Sequence, residues 1–520
     1  MNTHHLLSQA QAFVKAQQYQ EALSCWLPLL QAQPDNGLYL WEAAQCYQKL
    51  GDFEQALFFY KKLENTREQD PALLKSIAYC LQKQELYTKA IPYHQQILAL
   101  TPHDSWNLSH LGYGYQMQQD FDQALHYHLA AFRLYPEDAW NLRQLGHCYM
   151  EKQQFGKAVR FYRESDRLEP KNSSTLAHIG YAYQHLQEYE VALEYHQKAR
   201  LIQPQDAWNL RQLGYCYQNL GNFAQALSWH EEAEKFETSL WNQCQMAFCH
   251  QQQNALPKAI ALYERVIAQD PTYQLAWENL GICYREQKQY EEALACFQQL
   301  RNQGVENTFV YDNLGFCHQE MALQNALGLK NGFYEAIACY EQSIRLQPRH
   351  SYAWENLGYC HQELENYSQA LAAYREAEKC NPQNTFVLDN IGYCYQKIGN
   401  WEEACHYYER SHLLKPEDPW NLAALGQTYF RLGQFEQAQT YLEQLHQRNE
   451  VDAHDLLTLG HLQLFKGKTN QARDFYAQSR ALFVDKYDFL DEFEEDYDFL
   501  LHLGLDLSEY QQIKVEMSLW

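Results

Sequence analysis

Cysteine and histidine are the residue types of this 520-residue chain that could bind a metal ion or act in catalysis, and the chain contains 15 and 22 of them. Nine of the cysteines recur at a regular spacing, usually 34 residues or twice that, at Cys46, Cys80, Cys148, Cys216, Cys249, Cys283, Cys317, Cys360 and Cys394. This spacing would place neighbouring cysteines on parallel helices rather than in one tetrahedral site, and no CxxC occurs. We therefore predict no metal and no cofactor, and expect the thiols to be small, reduced core residues.

Catalytic motifs are not found in the sequence. There is no GxSxG, HExxH, phosphate-loop or dinucleotide motif. Many histidines, such as His128, His250 and His318, fall at positions where a repeat described below has aromatic residues, so packing explains them more simply than catalysis does. We therefore predict that the protein is not an enzyme.

The elements that must position these residues follow a repeat of 34 residues. If the alanine that marks each repeat is counted as position 20, position 8 is always Gly or Ala, as close contact between two helices requires. A fixed period of this length indicates stacked supersecondary units, which bury their apolar faces only against one another. The register has one step of 33 and one of 43 residues and is marked by Ala22, Ala56, Ala90, Ala124, Ala158, Ala192, Ala226, Ala259, Ala293, Ala336, Ala370, Ala404, Ala438 and Ala472.

This pattern resembles the tetratricopeptide repeat, a unit of two helices, A and B, with small residues at positions 8 and 20, aromatic residues at 11 and 24, and Pro at 32. Nine repeats have that proline, beginning with Pro34 and Pro102. The resemblance spans roughly residues 3–480 and implies an all-α fold, a right-handed α-solenoid or superhelix of about fourteen helix–turn–helix units. The tenth repeat has nine extra residues near 322–331, which we expect in the turn between its helices.

Positions 2, 5, 9 and 12 of helix A share one helical face, which in the family lines the concave groove of the superhelix. Amphipathic rings are enriched where partners bind, although rings at position 2 would also brace the preceding helix B, and the sequence leaves both roles open. Position 2 is aromatic at Trp106, Trp140, Trp208, Trp241, Phe309, Tyr352, Phe386 and Trp420. Position 9 carries rings that include Tyr181, Tyr215, Tyr359 and Tyr393.

Asparagine occupies position 6 in four successive repeats, at Asn279, Asn313, Asn356 and Asn390. An amide has both a donor and an acceptor, so it can bind a peptide backbone whatever the side chains are. The series resembles the asparagine ladder in the repeats of O-linked N-acetylglucosamine transferase, which holds substrate peptides. The alternative is that Asn is simply frequent at this position in the family.

Position 5 divides the same face into two zones. Arg143 and Arg211 belong to two repeats that both contain AWNLRQLG, whereas each later Asn follows an acid at position 5. These acids are Glu278, Asp312, Glu355 and Asp389. We predict a weakly basic, Trp/Gln-rich zone followed by an acidic, Asn-rich zone that favours a peptide with Lys or Arg. Drift among duplicated repeats is the alternative.

The formal net charge of −24, from 41 basic and 65 acidic residues, disfavours nucleic acid and anionic membrane surfaces as partners. Residues 1–22 lack the features of a signal peptide, and no apolar run approaches the ~18 residues of a membrane span. We expect a cytoplasmic protein without a membrane segment.

The last forty residues, 481–520, differ from the repeats because they hold eleven acidic and two basic residues among many rings. A stack of repeats needs a terminal cover, so we expect an acidic C-terminal capping segment, with a partner-docking or self-inhibiting segment as the alternative. The sequence as a whole predicts a scaffold or adaptor that binds an extended protein or peptide segment in its groove. A structural subunit of a constitutive homo- or hetero-oligomeric complex is the alternative, since the sequence does not define the oligomeric state.

Overall fold

The computed structural model describes residues 3–67, 69–324, 330–483, 486–502 and 507–518. Within these residues the chain forms 31 α-helices and no β-strand. The all-α repeat fold predicted from the sequence is therefore confirmed. The chain divides into two compact units, Met1–Leu262 and Tyr263–Trp520. No helix in the described residues is both long and apolar enough to span a membrane.

In the first unit each helix packs on the next along the chain, so that A and B helices alternate. The boundary between the units lies within helix α16 (Leu256–Gln269), which is a B helix. The helices before it are α1 (Thr3–Lys15), α2 (Tyr19–Ala32), α3 (Gly37–Leu50), α4 (Phe53–Glu64), α5 (Pro71–Lys83), α6 (Tyr87–Leu100), α7 (Ser105–Met117), α8 (Phe121–Leu134), α9 (Ala139–Glu151), α10 (Phe155–Leu168), α11 (Ser173–His185), α12 (Tyr189–Ile202), α13 (Ala207–Asn219), α14 (Phe223–Glu234) and α15 (Leu240–Gln252).

The second unit continues the alternation of A and B helices and ends in three shorter helices. Its helices are α17 (Gln274–Glu286), α18 (Tyr290–Asn302), α19 (Thr308–Gln324), α20 (Asn331–Leu346), α21 (Ser351–Glu363), α22 (Tyr367–Cys380), α23 (Thr385–Ile398), α24 (Trp401–Leu414), α25 (Pro419–Arg431), α26 (Phe435–Gln447), α27 (Ala453–Phe465), α28 (Thr469–Leu482), α29 (Lys486–Glu495), α30 (Tyr497–His502) and α31 (Leu507–Ser518).

Each repeat is held together where position 8 of helix A meets position 24 of helix B. All fourteen alanines at position 20 are completely buried. Where position 8 is glycine in helix A, a Cβ would overlap the side chain at position 24; at Gly180 it would lie 2.6 Å from Nε2 of His196. The missing side chain of glycine therefore lets the two helices approach closely.

The cysteines at position 10 are buried and free, as the sequence analysis expected. Burial raises the pKa of the thiols, to about 12 for Cys148 and Cys216. These thiols are therefore protonated at neutral pH and act as small apolar groups. In the part of the chain that the structure describes, no group of three or more His, Cys, Asp or Glu residues could hold a metal ion.

The tenth repeat, which carries the extra residues, has longer helices than the repeat before it. Helix α19 has 17 residues and α20 has 16, whereas α17 and α18 have 13 each. Residues 325–329 of the insertion lie outside the described part of the chain. Where the lengthened helices meet, a Cβ on Gly332 would lie 2.8 Å from Cβ of Ala322 and 2.8 Å from the backbone oxygen of His318. The expectation of an insertion confined to the turn is therefore too narrow.

The C-terminal helices α29 and α31 keep the 34-residue register. Phe493 and Tyr510 lie 34 residues after Leu459 and Tyr476, at positions 7 and 24, and both rings are fully buried. The two rings stack with their centroids 4.2 Å apart, and the Phe493 ring lies 5.0 Å from that of Tyr476 on α28. This segment thus packs on the last helix pair in the way that a further repeat would.

Candidate functional site

Within each unit, the rings at positions 2 and 9 of the A helices lie on a surface that we call the ring face of that unit. The exposed fraction is 36% for Trp106, 39% for Tyr352, 48% for Phe386 and 49% for Trp420. The other predicted rings are partly buried but none is fully buried, namely Trp140, Trp208, Trp241, Phe309, Tyr181, Tyr215, Tyr359 and Tyr393. The rings therefore retain surface that another molecule can contact.

The rings at position 2 also brace the preceding helix B. The Trp140 and Trp208 rings meet the position 24 rings of His128 and His196 edge to face, at centroid distances of 6.4 Å in both cases. Tyr352 makes the same contact in the second unit. These side chains thus brace helix B and still remain partly exposed. Neither of the two roles that the sequence left open, bracing and partner binding, is therefore excluded.

A buried asparagine at position 3 follows each tryptophan of position 2, and its role was not predicted from the sequence. All five of these tryptophans are followed by such an asparagine, a Trp-Asn dipeptide that could have served as the signal. Its amide nitrogen donates to the backbone oxygen of the residue at position 24, and this bond ties the start of helix A to the preceding helix B. The N···O distances are 2.9 Å for Asn107, 3.0 Å for Asn141, 2.9 Å for Asn209, 2.9 Å for Asn242 and 3.1 Å for Asn421.

Tyrosine at position 9 pairs with tryptophan at position 2 of the next repeat in the first unit. The ring centroids lie 5.6 Å apart for Tyr113–Trp140, 5.6 Å for Tyr181–Trp208 and 6.2 Å for Tyr215–Trp241. The same arrangement therefore recurs between neighbouring A helices.

Two histidines at position 6 complete these ring clusters and were also missed. His110 stacks on Trp140 at 5.0 Å, and His178 stacks on Trp208 at 5.5 Å. Burial, together with the neighbouring His94, lowers the pKa of His110 to about 3, so its ring is neutral. Both histidines occupy position 6, which holds Asn in the later repeats. Their place at that position is the sequence signal from which they could have been predicted.

The ring clusters of the first unit wall open clefts between successive A helices. One cleft of about 540 Å³ is lined by Trp106, Tyr113 and Trp140 together with Lys83 and Glu85. A second, of about 440 Å³, is lined by Tyr181, Trp208, Arg211, Tyr215 and Trp241, and we call it the Arg211 cleft. Each has room for one or two side chains of a partner.

The second unit has a comparable cleft of about 470 Å³, lined by Phe386, Asp389, Asn390, Tyr393 and Trp420. Burial raises the pKa of the Asp389 carboxyl to about 6. Its Oδ1 accepts a bond of 2.8 Å from the amide of Asn421. The cleft therefore combines rings with a carboxylate that is ionised at neutral pH.

The position 6 asparagines are bonded differently from what the sequence suggested. In each of them Nδ2 donates to the backbone oxygen four residues earlier in its own helix, at 2.8 Å for Asn279 and 2.7 Å for Asn313, Asn356 and Asn390. Local bonds of this kind compete with bonds to a partner. Asn313 is also buried, and its Oδ1 accepts from Arg285. The remaining three keep the carbonyl oxygen and one N–H of the amide for a partner.

The charged residues of position 5 are partly paired within the chain. Arg143 bonds to Glu169 at 2.6 Å, and Arg211 bonds to Glu237 at 3.1 Å. In the acidic zone, Asp312 contacts Nε2 of His350 at 2.6 Å. These bonds reduce the charge contrast between the two zones.

Several predicted residues do not line any of these clefts. They are Arg143, Asn279, Phe309, Asn313, Tyr352, Asn356 and Tyr359. The structure therefore brings together the rings of the fourth to eighth repeats and those of the twelfth and thirteenth repeats.

Models of the tetratricopeptide repeat match residues 144–172, 172–236, 250–314, 326–385 and 384–450. A model described as YpiA-like, C-terminal tetratricopeptide repeats matches residues 38–104. Together these matches cover most of the chain. The chain belongs to the tetratricopeptide-repeat (TPR) family. TPR proteins bind other proteins or peptides and are generally non-catalytic, so this chain is a protein-interaction scaffold in that general sense.

Three solved structures illustrate what the chain is similar to. A TPR protein from Parabacteroides merdae ATCC 43184 is 16% identical, with a TM-score of 0.37, and the match covers 49% of this chain and 96% of that chain. The APC/C hetero-tetramer Cut9-Hcn1 is 14% identical, with a TM-score of 0.35 and coverage of 92% and 96%. YrrB, a TPR protein with an unusual peptide-binding site, is 19% identical, with a TM-score of 0.32 and coverage of 39% and 96%. No curated protein matches the chain in sequence.

Proposed function

We propose that this TPR protein is a scaffold or adaptor that holds an extended protein segment along the ring face. One observation carries the proposal: the Tyr–Trp pair at 5.6 Å recurs between A helices of the first unit, and each pair walls an open cleft. A regular series of clefts suits a chain whose side chains enter one after another. It suits a single small ligand less well.

The exposed ring area can contribute to binding, but the area in a single cleft is too small to bind a partner by itself. An aromatic side chain has about 150–250 Å² of surface to bury. Covering the 36–49% that is exposed at four rings of position 2 would remove about 50–120 Å² each from water, worth about 1–3 kcal/mol per ring. Association costs about 4–15 kcal/mol in lost freedom, so a partner must occupy several clefts together.

Polar groups of the second unit would add contacts to the backbone and to basic side chains. The carbonyl oxygens of Asn279, Asn356 and Asn390 are acceptors for the N–H groups of an extended segment. Asp389 lies beside the rings of Phe386 and Trp420. A carboxylate beside aromatic rings favours a Lys or Arg side chain through ion pairing and cation–π contact.

The test compares ring-face variants with variants of equally exposed rings on B helices or their ends. The ring-face protein carries Trp106→Ala and Trp420→Ala, and the control carries Phe58→Ala, at 51% exposure, and Tyr135→Ala, at 52%. Partners captured from native cells by tagged full-length protein are quantified by mass spectrometry. We expect the ring-face variant to lose at least one partner that the control retains.

Equal capture by the ring-face variant and the wild type, with unchanged circular dichroism, would show that the proposal is wrong. The alternative of a constitutive structural subunit predicts a different result. A complex that is stable at nanomolar concentration, measured by light scattering and mass photometry of protein from native cells, would favour that alternative.

A further inference from the structure

Two side chains that line the Arg211 cleft, those of Arg211 and Gln184, have buried polar atoms without partners. Arg211 has only 11% of its side chain exposed; Nη2 bonds to Glu237 at 3.1 Å, whereas Nη1 is buried without a hydrogen-bond partner. Gln184, 5% exposed, donates its Nε2 to the backbone oxygen of Gln212 at 3.1 Å, and its Oε1 also lacks a partner. None of the residues that line the cleft, all in the described part of the chain, is acidic.

Arg143 provides a matched comparison. It occupies the same position 5 two repeats earlier in the chain. Its Nη1 bonds to Glu169 at 2.6 Å and lies 3.4 Å from Oγ of Ser165. Position 2 of the following repeat is Ser174 rather than a tryptophan, and Arg143 does not line a described cleft. Arg211 thus differs from Arg143, although the local sequences are nearly identical, because Arg211 has an N–H donor without a partner and lies beside aromatic rings.

An unpartnered guanidinium N–H among rings favours a carboxylate. A buried donor without an acceptor is destabilising, and a charge-assisted bond to a carboxylate removes that penalty. Glu237 is 61% exposed, so solvent weakens its hold on Arg211. The cleft therefore has capacity for a second, better enclosed carboxylate.

The chain already binds an acidic, aromatic segment of its own with similar groups. In the second unit, the carboxylate of Asp496 in the C-terminal segment bonds to Arg431 and accepts a hydrogen bond of 3.1 Å from Nε2 of His461. Phe499 of the same segment lies over the Arg431 guanidinium at 4.9 Å, and Phe493 lies 5.8 Å from His461. His461 is at position 9 of its repeat, as are the tyrosines of the Arg211 cleft.

We propose that the Arg211 cleft binds an acidic–aromatic segment of a partner protein. A carboxylate of that segment bonds to the guanidinium of Arg211, and a neighbouring ring packs between Trp208 and Trp241. This inference rests on the proposed function and names the partner chemistry for one site of the ring face.

The probe is a fluorescein-labelled synthetic peptide, KYDFLDEFEEDYDFL, which copies residues 486–500. Its affinity for the full-length protein is measured by fluorescence anisotropy for the wild type, for Arg211→Gln and for the matched control Arg143→Gln. Loss of a charge-assisted hydrogen bond predicts about 10- to 100-fold weaker binding for R211Q. We expect R143Q to stay within about twofold of the wild type, the range of a surface ion pair.

A second peptide, with every Asp and Glu changed to Asn or Gln, tests the charge without altering the protein. We expect it to bind the wild type at least about tenfold more weakly and to bind R211Q and the wild type alike. The proposal is overturned if the acidic peptide does not bind by about 1 mM, the weak end of specific affinity, or if R211Q and R143Q weaken binding equally. If both peptides bind equally and Trp208→Ala abolishes both, the charge assignment fails while the ring-face function stands.

Discussion

Four buried histidines in the first unit make its stability depend on pH. Each lies at position 24 and faces the buried asparagine at position 3 of the next repeat. The Nδ1···Oδ1 distances are 2.7 Å for His94–Asn107, 2.7 Å for His128–Asn141, 2.8 Å for His196–Asn209 and 2.8 Å for His230–Asn242. The other ring nitrogen, Nε2, is buried without a hydrogen-bond partner in all four.

Burial lowers the pKa of each of these histidines to about 4, because a protonated ring would carry a charge and an unbonded N–H inside the core. In the unfolded chain a histidine has a pKa of about 6.5. The unfolded state therefore binds more protons, so stability is fully present above about pH 6.5 and is lost as the pH falls towards 4. At pH 5 the loss is about 2 kcal/mol per histidine.

The chain itself suggests which substitution to make. Tyr162 and Thr175 stand at the positions where four other repeat junctions have a His–Asn pair. The double variant His196→Tyr/Asn209→Thr copies that pair. Since repeat proteins unfold locally rather than in one step, hydrogen exchange with mass spectrometry is the appropriate assay, corrected for intrinsic rates at pH 7 and pH 5. Between these pH values we expect protection of α12 and α13 to fall about 30-fold more in the wild type than in the variant.

The helices α8 and α9, which carry the unaltered pair His128–Asn141, serve as the internal control because their pH dependence should be the same in both proteins. Equal pH dependence of α12 and α13 in the wild type and the variant would refute the reasoning. It would mean that the buried rings do not resist protonation or that their charge is compensated in the fold.

Three further changes should alter stability. Gly180→Ala places a Cβ 2.6 Å from the His196 ring and should lower the free energy of unfolding by about 1–3 kcal/mol, whereas Gly156→Ala, with nothing within 4 Å, should not, as urea titrations would show. Asp389 has its pKa raised to about 6 by burial, above the roughly 3.9 of an unfolded chain, so its ionisation removes stability as the pH rises from about 4 to about 6, and Asp389→Asn should reduce that loss between pH 4 and pH 6. Asp496→Asn removes a buried ion pair, which should cost about 3–5 kcal/mol locally and speed proteolysis of residues 486–518.

Much of the architecture could be predicted because the repeat sets the direction of each side chain. The helical period places position 20 in the core and positions 2 and 9 on one face, and the structure has every marker alanine buried and the predicted rings partly exposed. The C-terminal segment was predicted only as a cap because Glu494 and Asp506 replace the small residues of positions 8 and 20. The apolar residues that keep its register, such as Phe493 and Tyr510, are a weaker signal.

The bonding of the amides could not be predicted from residue type alone. Asn390 at position 6 bonds within its own helix, whereas Asn421 at position 3 bonds to the helix before it. The outcome depends on whether a neighbouring backbone oxygen is within reach, which is a property of the packed helices. For the same reason the internal pairing of Arg143 with Glu169 was not foreseen.

The tryptophans of the ring face and the buried asparagines next to them form one structural device. At Trp420 the asparagine bonds to the backbone oxygen of Tyr408, so this device does not need a histidine at position 24. The histidine adds a second bond to the asparagine oxygen, which at Asn421 has no partner. The first unit thus has a more fully bonded support for its tryptophans, at the expense of stability in acid. Because this asparagine anchors the start of helix A, where the tryptophan lies, we expect binding on the ring face and local stability to depend on the same bonds.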